Sequence, residues 1–328
     1  MSTLTRPAVA DEPVRTKPRR VRGLLWLVTR QHRAVLFASA AAIVLGSAWI
    51  IYQRGVLLDD AHAAGWPATS GEEIDGALRL RLEKKFNDIA SYVGYLPLLF
   101  GIFLGAPLLS SDQENGTARL VTTQSVPRTR WLLWKLGFAV VLVAVTTAIL
   151  GTLLTWYWHA ARPFVSTDWT EASIFDTTGP VLLTQALFIT SLGIVIGALV
   201  RRAVTAMTLT FFGAFAVTVV FDYLKPHLAT PRRVAFPLDG DHPAVLNGSV
   251  QVDQWIGTAS GKLYGWSTCV SDADTDGCRA RKGIVNSVWD YFGYDQMATL
   301  QWTAAALLAV ATAALLALAV WRTRRQAF

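Results

Sequence analysis

Long runs of apolar residues alternate with polar and charged segments along this chain. Each run is long enough to cross the core of a bilayer, which takes about 20 residues in a helix. The predicted spans are residues 34–53, 93–110, 131–155, 179–200, 203–224 and 298–321. The runs are continuous and lack the alternation of transmembrane β-strands. The sequence therefore predicts an all-α polytopic membrane protein with six transmembrane helices.

The chain before the first span divides into two predicted regions. Residues 1–20 are rich in Pro, Arg, Thr and Ala, which is typical of a disordered tail. Residues 21–33 have basic residues at both ends, and their pattern predicts an amphipathic interface helix with Trp26 at headgroup depth. The apolar face of this helix contains Leu24, Leu27 and Val28. The alternative is that this segment simply extends the first span.

Two long polar segments lie on the side opposite the N-terminus. In residues 54–92, within the stretch 34–224 that holds spans one to five, an apolar stripe predicts a helix with one buried face. The stripe contains Ile74, Leu78, Leu82, Phe86, Ile89 and Val93. Residues 225–297 are rich in Pro, Gly and Trp, and we expect them to form a small extracytoplasmic cap with the first segment. Cys269 and Cys278 predict a disulfide in this oxidising location, worth about 2–3 kcal/mol.

The distribution of charge predicts the orientation of the chain. The net charge is +7, and only 16% of the residues are charged. With both termini in the cytoplasm, the inner segments, including the tail 322–328 and Lys135 near the start of the third span, hold 17 Lys and Arg against 4 Asp and Glu. The outer segments hold 13 against 18. This basic excess inside is typical of a multi-pass protein of a bacterial plasma membrane, and it explains the basic balance without nucleic acid as a partner.

Known catalytic and metal-binding motifs are incomplete in this sequence. Residues 257–263 resemble a phosphate-binding loop, but the glycine spacing is one residue short and Leu263 stands where Ser or Thr would bind magnesium. Residues 272–277 match the opening of a calcium-binding loop, with Asp272, Asp274 and Asp276 as oxygen donors. Gly283 replaces the bidentate Glu that such a loop needs. We therefore predict neither a catalytic nor a metal site, and calcium binding by the three aspartates stays open.

Charged residues are nearly absent from the spans, although the ion paths of ion-driven transporters need them. If the chain moves a substrate, the energy would therefore come from outside the bilayer. The segment 111–130 is polar and ends in basic residues, so it predicts a cytoplasmic coupling elbow that docks into a cleft of another protein. Its candidate residues are Asp112, Gln113, Glu114, Asn115, Gly116, Thr117, Arg119, Arg128 and Arg130. The alternative is an ordinary loop between two spans.

The elbow resembles the corresponding segment of the ABC-2 type family of ABC transporter permeases. The sequence Glu114-Asn115-Gly116-Thr117 stands about ten residues ahead of Pro127-x-x-Arg130, and an aromatic and apolar run with Lys135 follows. The motif follows the second of six spans, where the family has it. With the interface helix and the cytoplasmic termini, the resemblance extends over roughly residues 21–325.

The resemblance implies a permease subunit without ATPase activity of its own. Two copies would form the export pathway, and each would contact a separate ATP-binding subunit through residues 112–126. The partner subunits would bind ATP and magnesium, and this chain would hold no cofactor. Spans two and five would line the pathway between them. Its polar candidates are Thr205, Thr208, Thr210 and Thr218.

Two other classes of function compete with the permease. One is a membrane-anchored sensor or assembly protein whose outer cap binds a ligand or an envelope component. The other is a polytopic membrane enzyme, which would need polar residues converging at one membrane depth. The five histidines are scattered over both sides of the membrane and do not supply that arrangement.

Overall fold

The computed structural model describes residues 24–71, 73–116 and 127–325. The helices are α1 (Leu24–Gln31), α2 (Arg33–Ala63), α3 (Gly76–Gly94), α4 (Leu96–Phe100), α5 (Pro107–Glu114), α6 (Arg128–Ala161), α7 (Ala172–Phe175), α8 (Val181–Leu199), α9 (Ala203–Leu224), α10 (Thr275–Lys282) and α11 (Met297–Arg325). The strands are β1 (Arg232–Pro237), β2 (Val250–Thr258), β3 (Leu263–Gly265) and β4 (Ile284–Phe292).

Six helical stretches in the described residues are long and apolar enough to cross a membrane. They are Arg33–Ala63, Gly76–Glu114, Thr129–Phe164, Val181–Leu199, Ala203–His227 and Tyr294–Arg324. Each of them contains most of one predicted span. The prediction of an all-α polytopic membrane protein with six transmembrane helices is therefore confirmed.

The second span is continuous with the helix predicted in the first outer segment. Helix α3 carries the expected apolar stripe, and Leu82, Phe86 and Ile89 in its centre are fully buried. Asp75 begins the helix because its carboxylate accepts hydrogen bonds from the amides of Ala77 and Leu78. The prediction of a helix with one buried face is confirmed, but no loop separates this helix from the membrane span.

A π-helical turn at Gly101–Gly105 joins α4 to α5. Pro107 has no amide hydrogen, and in an α-helix its ring would collide with the carbonyl four residues earlier. The chain adopts the wider turn instead, and the amide of Ala106 donates to the carbonyl of Gly101 at 2.9 Å. Proline therefore sets the position of this irregularity inside the second span.

Helix α8 is the central helix of the bundle. It contacts α4, the π-helical turn, α5, α6, α9 and α11. Two of its glycines allow the close approach to span two. A Cβ atom on Gly193 would lie 2.5 Å from the carbonyl oxygen of Gly101, and one on Gly197 would lie 2.2 Å from that of Ala106. Glycine is needed at both positions because neither backbone has room for a side chain.

The ends of the helices define two sides of the molecule. Helix α1, the end of α5 and the starts of α6 and α9 are joined by direct contacts between their residues. The end of α11 lies against the start of α6, where the two helices line one groove. We call this the basic side, because it carries Arg30, Arg130, Arg201, Arg202 and Arg324. The opposite side is called the sheet side.

A four-stranded antiparallel sheet lies within residues 225–297. Its strand order is β1-β4-β2-β3, and β2 pairs with β4 with two irregularities in register. The sequence analysis predicted a small folded cap here but not its strands. The first outer segment contacts the stretch 162–175, where the Glu83 carboxylate accepts hydrogen bonds from Thr167. Val250 and Phe292 at the ends of the sheet share an apolar core with α3.

Candidate functional site

The segment 111–130, which the sequence predicts as a coupling elbow, starts within α5, and this helix ends at Glu114. Gly116 follows with φ +69°, a left-handed conformation that favours glycine and turns the chain out of the helix. The next described residue is Pro127, which precedes the first turn of α6. Of the predicted coupling residues, Thr117 and Arg119 lie outside the described residues, as does the side chain of Arg128.

A buried ion pair fixes the second span to the third on the basic side. The ammonium of Lys135 in α6 donates to the carboxylate of Asp112 in α5, and also to the carbonyl of Leu108 at 3.0 Å. Lys135 is fully buried and Asp112 is 4% exposed. A buried pair of this kind is costly to break, because removing one partner leaves a charge without compensation.

The N-terminal helix α1 meets the same ion pair. The side-chain amide of Gln31 donates to Asp112 at 2.8 Å. The next residue, His32, stacks on Phe138 with ring centroids 5.6 Å apart. Burial and the neighbouring Lys135 charge lower the pKa of His32 to about 4, so the imidazole is neutral near pH 7. Helix α1, which the sequence analysis predicts as an interface helix, is therefore attached to both spans that flank the elbow.

Glu114 connects the elbow to the fifth span. Its carboxylate accepts a hydrogen bond from the amide of Ala203, the first residue of α9, at 2.9 Å. The first amides of a helix have no partner within the helix, and the helix dipole favours negative charge there. Glu114 therefore acts as a cap for α9, although it is 89 positions away in sequence.

The two acidic residues of the elbow thus have different surroundings. Asp112 lies inside the protein, so the expected contact of its carboxylate with an ATPase is not available in this structure. Glu114, Asn115 and Arg130 are exposed, and Gln113 is half-buried. The residues that remain candidates for the predicted coupling surface are therefore Gln113, Glu114, Asn115 and Arg130, together with the segment that follows Gly116.

The four threonines predicted for the pathway do not share one face of α9. Thr205 and Thr208 are exposed, Thr210 is fully buried, and Thr218 is half-buried. The hydroxyls of Thr208, Thr210 and Thr218 donate to carbonyls one turn earlier in the same helix. Thr218 also lines a cavity of about 340 Å³ between α3, α4, α8 and α9.

The lining of this cavity is mostly apolar but includes several polar side chains. Its polar lining includes Ser91, Asp176, Thr177 and Gln185, and its apolar wall includes Phe211. Such a mixture suits a ligand that has an apolar body and one polar group. Gln185 lies in α8, is 6% exposed and contributes a side-chain amide to this lining.

Asp176 belongs to a second buried charge cluster. The ammonium of Lys225 lies 2.8 Å from Asp176 and 2.6 Å from Asp222, and Lys225 itself is 5% exposed. Burial raises the pKa of Asp176 to about 6, against the lowering effect of Lys225. The sequence gives no signal for the contact of Lys225 with Asp176, because Asp176 is distant in sequence and lies in a short loop.

The two cysteines form a disulfide, with the Cα atoms 5.8 Å apart. Both sulfurs are consumed in this bond, so the nearby group Cys269, Asp272 and Cys278 offers only one carboxylate to a metal ion. Asp274 is also engaged, since it caps α10 by accepting from the amide of Gly277 at 2.8 Å. Asp274 therefore serves the start of α10 in this structure.

Comparison with known proteins places these features in a family. No curated protein matches the chain. Residues 40–225 match the family described as ABC-2 membrane transporter related, and this range contains four of the six predicted spans, most of the first predicted span and the segment 111–130. The match covers more than half of the 328 residues. The chain is therefore a multi-pass membrane protein that belongs to the ABC-2 membrane transporter related family.

Proposed function

We propose that the chain is the permease subunit of an ABC-type exporter. Two copies form the pathway, and separate ATP-binding subunits, which hold ATP and magnesium, drive it. The chain lies in a bacterial plasma membrane with both termini and the whole basic side in the cytoplasm. It contributes no catalytic group and no cofactor of its own.

The observation that carries this proposal is the linkage of the elbow to three spans. Asp112 binds Lys135 at the start of the third span, and Glu114 caps the start of the fifth. Both residues belong to the end of the second span. A displacement of this junction by the ATP-binding subunit would therefore move the second, third and fifth spans together, as an ATP-driven permease requires.

The surface that would contact the ATP-binding subunit consists of exposed residues at this junction. Glu114 and Asn115 are exposed, whereas the ion pair beneath them is buried. We propose that Asn115, Gly116 and the segment 117–126 enter a cleft of the ATP-binding subunit. The buried pair transmits the movement and makes no contact with the partner.

The exposed face of α9 is our candidate contact with the second copy. Its aromatic residues Phe211, Phe212 and Phe215 are exposed, and Phe215 is 64% exposed. The cavity lined by Thr218 and Asp176 opens beside this helix. Two copies that meet along α9 would bring both cavities to one pathway, which suits a hydrophobic or amphipathic cargo.

Co-purification with an ATP-binding subunit tests the coupling surface. We expect Asn115→Arg to weaken association and transport-linked ATP hydrolysis, because it adds bulk and charge to the docking surface. Gln251→Arg is the matched control, since Gln251 is also exposed but lies on the sheet side. Reversal of Asp112 is unsuitable, because breaking the buried pair damages the fold. Equal association of both variants would contradict the proposal.

Cysteine crosslinking tests the second copy. Both native cysteines are held in the disulfide, so one introduced cysteine is the single free thiol of the chain. We expect Phe215→Cys to form a crosslinked dimer in membranes, and Val310→Cys on α11 to remain monomeric at similar exposure. A dimer without any associated ATPase would instead favour the sensor or assembly protein.

A further inference from the structure

A groove on the basic side runs between the third and sixth spans. It has a volume of about 540 Å³ and lies between the first turns of α6 and the last turns of α11. Its walls are apolar, with Leu133, Leu136 and Val140 from one helix and Leu316 and Val320 from the other. Gly137 also lines the groove, and a Cβ atom there would meet nothing within 4 Å, so the space beside it is open.

The basic-side end of this groove is positively charged. Arg324 lines the groove and also a smaller hollow that it shares with Thr129. Arg130 lines a third hollow that contains Thr129 and Leu133. The three hollows are therefore joined through shared residues. Within the described part of the chain, neither arginine has a carboxylate at salt-bridge distance.

Tryptophans mark the depth of this end of the groove. Trp134 and Trp321 line the hollows and are 41% and 47% exposed. Tryptophan is enriched where lipid headgroups meet the hydrocarbon core. An apolar groove below that level faces lipid chains, and the arginines stand at the level of the phosphates. This arrangement offers one binding region for an acyl chain and one for an anionic group.

We propose that the groove between α6 and α11 is a binding site for an anionic phospholipid of the inner leaflet. An acyl chain fills the apolar groove, and Arg130 and Arg324 bind the phosphate. Guanidinium groups suit this task because they can donate two parallel hydrogen bonds to phosphate oxygens. The lipid would hold the start of the third span, whose Lys135 is tied to the elbow, in a fixed position. This inference rests on the membrane topology and does not require the ATPase partner.

Native mass spectrometry of the full-length protein released from detergent tests this site. The probes are phosphatidylglycerol and phosphatidylcholine with identical acyl chains, so only the headgroup differs. The wild-type protein should bind phosphatidylglycerol more tightly. Arg130→Gln with Arg324→Gln should weaken that binding by about 25-fold, because each basic residue near an anionic lipid surface is worth about fivefold. Binding of phosphatidylcholine should change little.

Two further variants separate the headgroup from the groove. Arg201→Gln with Arg202→Gln removes the same charge elsewhere on the basic side, and we expect a change below about twofold because these residues lie outside the hollows. Gly137→Leu with Ala317→Leu fills the groove and should weaken both lipids. Loss of binding only in the arginine pair and the filled groove supports the proposal.

Several outcomes would overturn it. These are equal affinity of the wild type for both lipids, equal losses in the two arginine pairs, or undiminished binding when the groove is filled. Displacement of phosphatidylglycerol by millimolar inorganic phosphate alone would show a headgroup site without a chain site. If the Arg130 and Arg324 variant keeps its lipid but no longer associates with an ATP-binding subunit, the basic end is a protein contact instead.

Discussion

The carboxylate of Asp112 and the ammonium of Lys135 form a buried ion pair that joins the second span to the third. The two residues are 23 positions apart, with the turn at Gly116 between them. The end of α5 and the start of α6 are thus joined by this pair. The same carboxylate accepts from Gln31, so the N-terminal helix is fixed at the same point.

Breaking this pair from one side should strongly destabilise the protein. Asp112→Asn or Lys135→Met leaves one buried charge without its partner, which costs about 3–5 kcal/mol. Replacing both by Asp112→Leu and Lys135→Met should cost clearly less than the sum of the single changes. Chemical unfolding of the purified protein in detergent measures the three values. Additive losses, within about 0.5 kcal/mol, would mean that the two residues do not act as a pair.

Two glycines give a matched test of the close approach between α8 and the second span. Gly197→Ala should destabilise the protein by about 1–3 kcal/mol, because the added carbon would lie 2.2 Å from a backbone carbonyl. Gly137→Ala should be neutral or should stabilise by up to about 1 kcal/mol, since its surroundings are open and alanine favours helix. Thermal unfolding followed by tryptophan fluorescence compares them. Similar melting temperatures would contradict the packing.

The cluster around Asp176 should make stability depend on pH. Its carboxyl group has a pKa raised to about 6 by burial, so the folded protein binds this proton more tightly than the unfolded chain does. The contribution to stability is therefore gained as the pH falls through about 6, and it is lost as the pH rises again. We expect wild type to gain up to about 3 kcal/mol relative to Asp176→Asn between about pH 7 and pH 4.

The comparison with Asp176→Asn isolates this group, because Lys225 keeps Asp222 as a partner at 2.6 Å in the variant. Melting temperatures of both proteins, taken across the same pH series, supply the difference. A constant difference between the two proteins would show that Asp176 does not titrate in this range. If the melting temperature of the wild type rose relative to that of Asp176→Asn as the pH rises, the effect would have the opposite sign to the one expected from burial.

The disulfide should stabilise the sheet side only. Cys269 and Cys278 close a loop with a sequence separation of 9, and loop entropy then predicts a loss of about 2–3 kcal/mol for the double serine variant. Hydrogen exchange should speed up in α10 and β4, which flank the bond, and stay unchanged in α8. Equal changes in both regions would indicate that the sheet and the bundle unfold as one unit.

The membrane helices could be predicted because each one is a continuous run of apolar residues in the sequence. Runs of apolar residues, the stripe in α3 and the basic excess at one side all depend on residues near each other in sequence. The strands of the outer sheet were not predictable in this way. Strand β2 has two register irregularities in its pairing with β4, and its buried positions do not alternate, so it lacks the period that marks a strand.

The sequence by itself determined the six spans, the polar elbow after the second span and the two cysteines of one outer loop. Only the tertiary structure decided that Asp112 faces inward to Lys135, that Glu114 caps α9, and that Asp176 joins Lys225. The physical reason is that a charge near a helix end looks the same in sequence whether it faces solvent or a partner. Its role depends on which distant helix packs beside it, and that is fixed by close contacts such as those of Gly193 and Gly197.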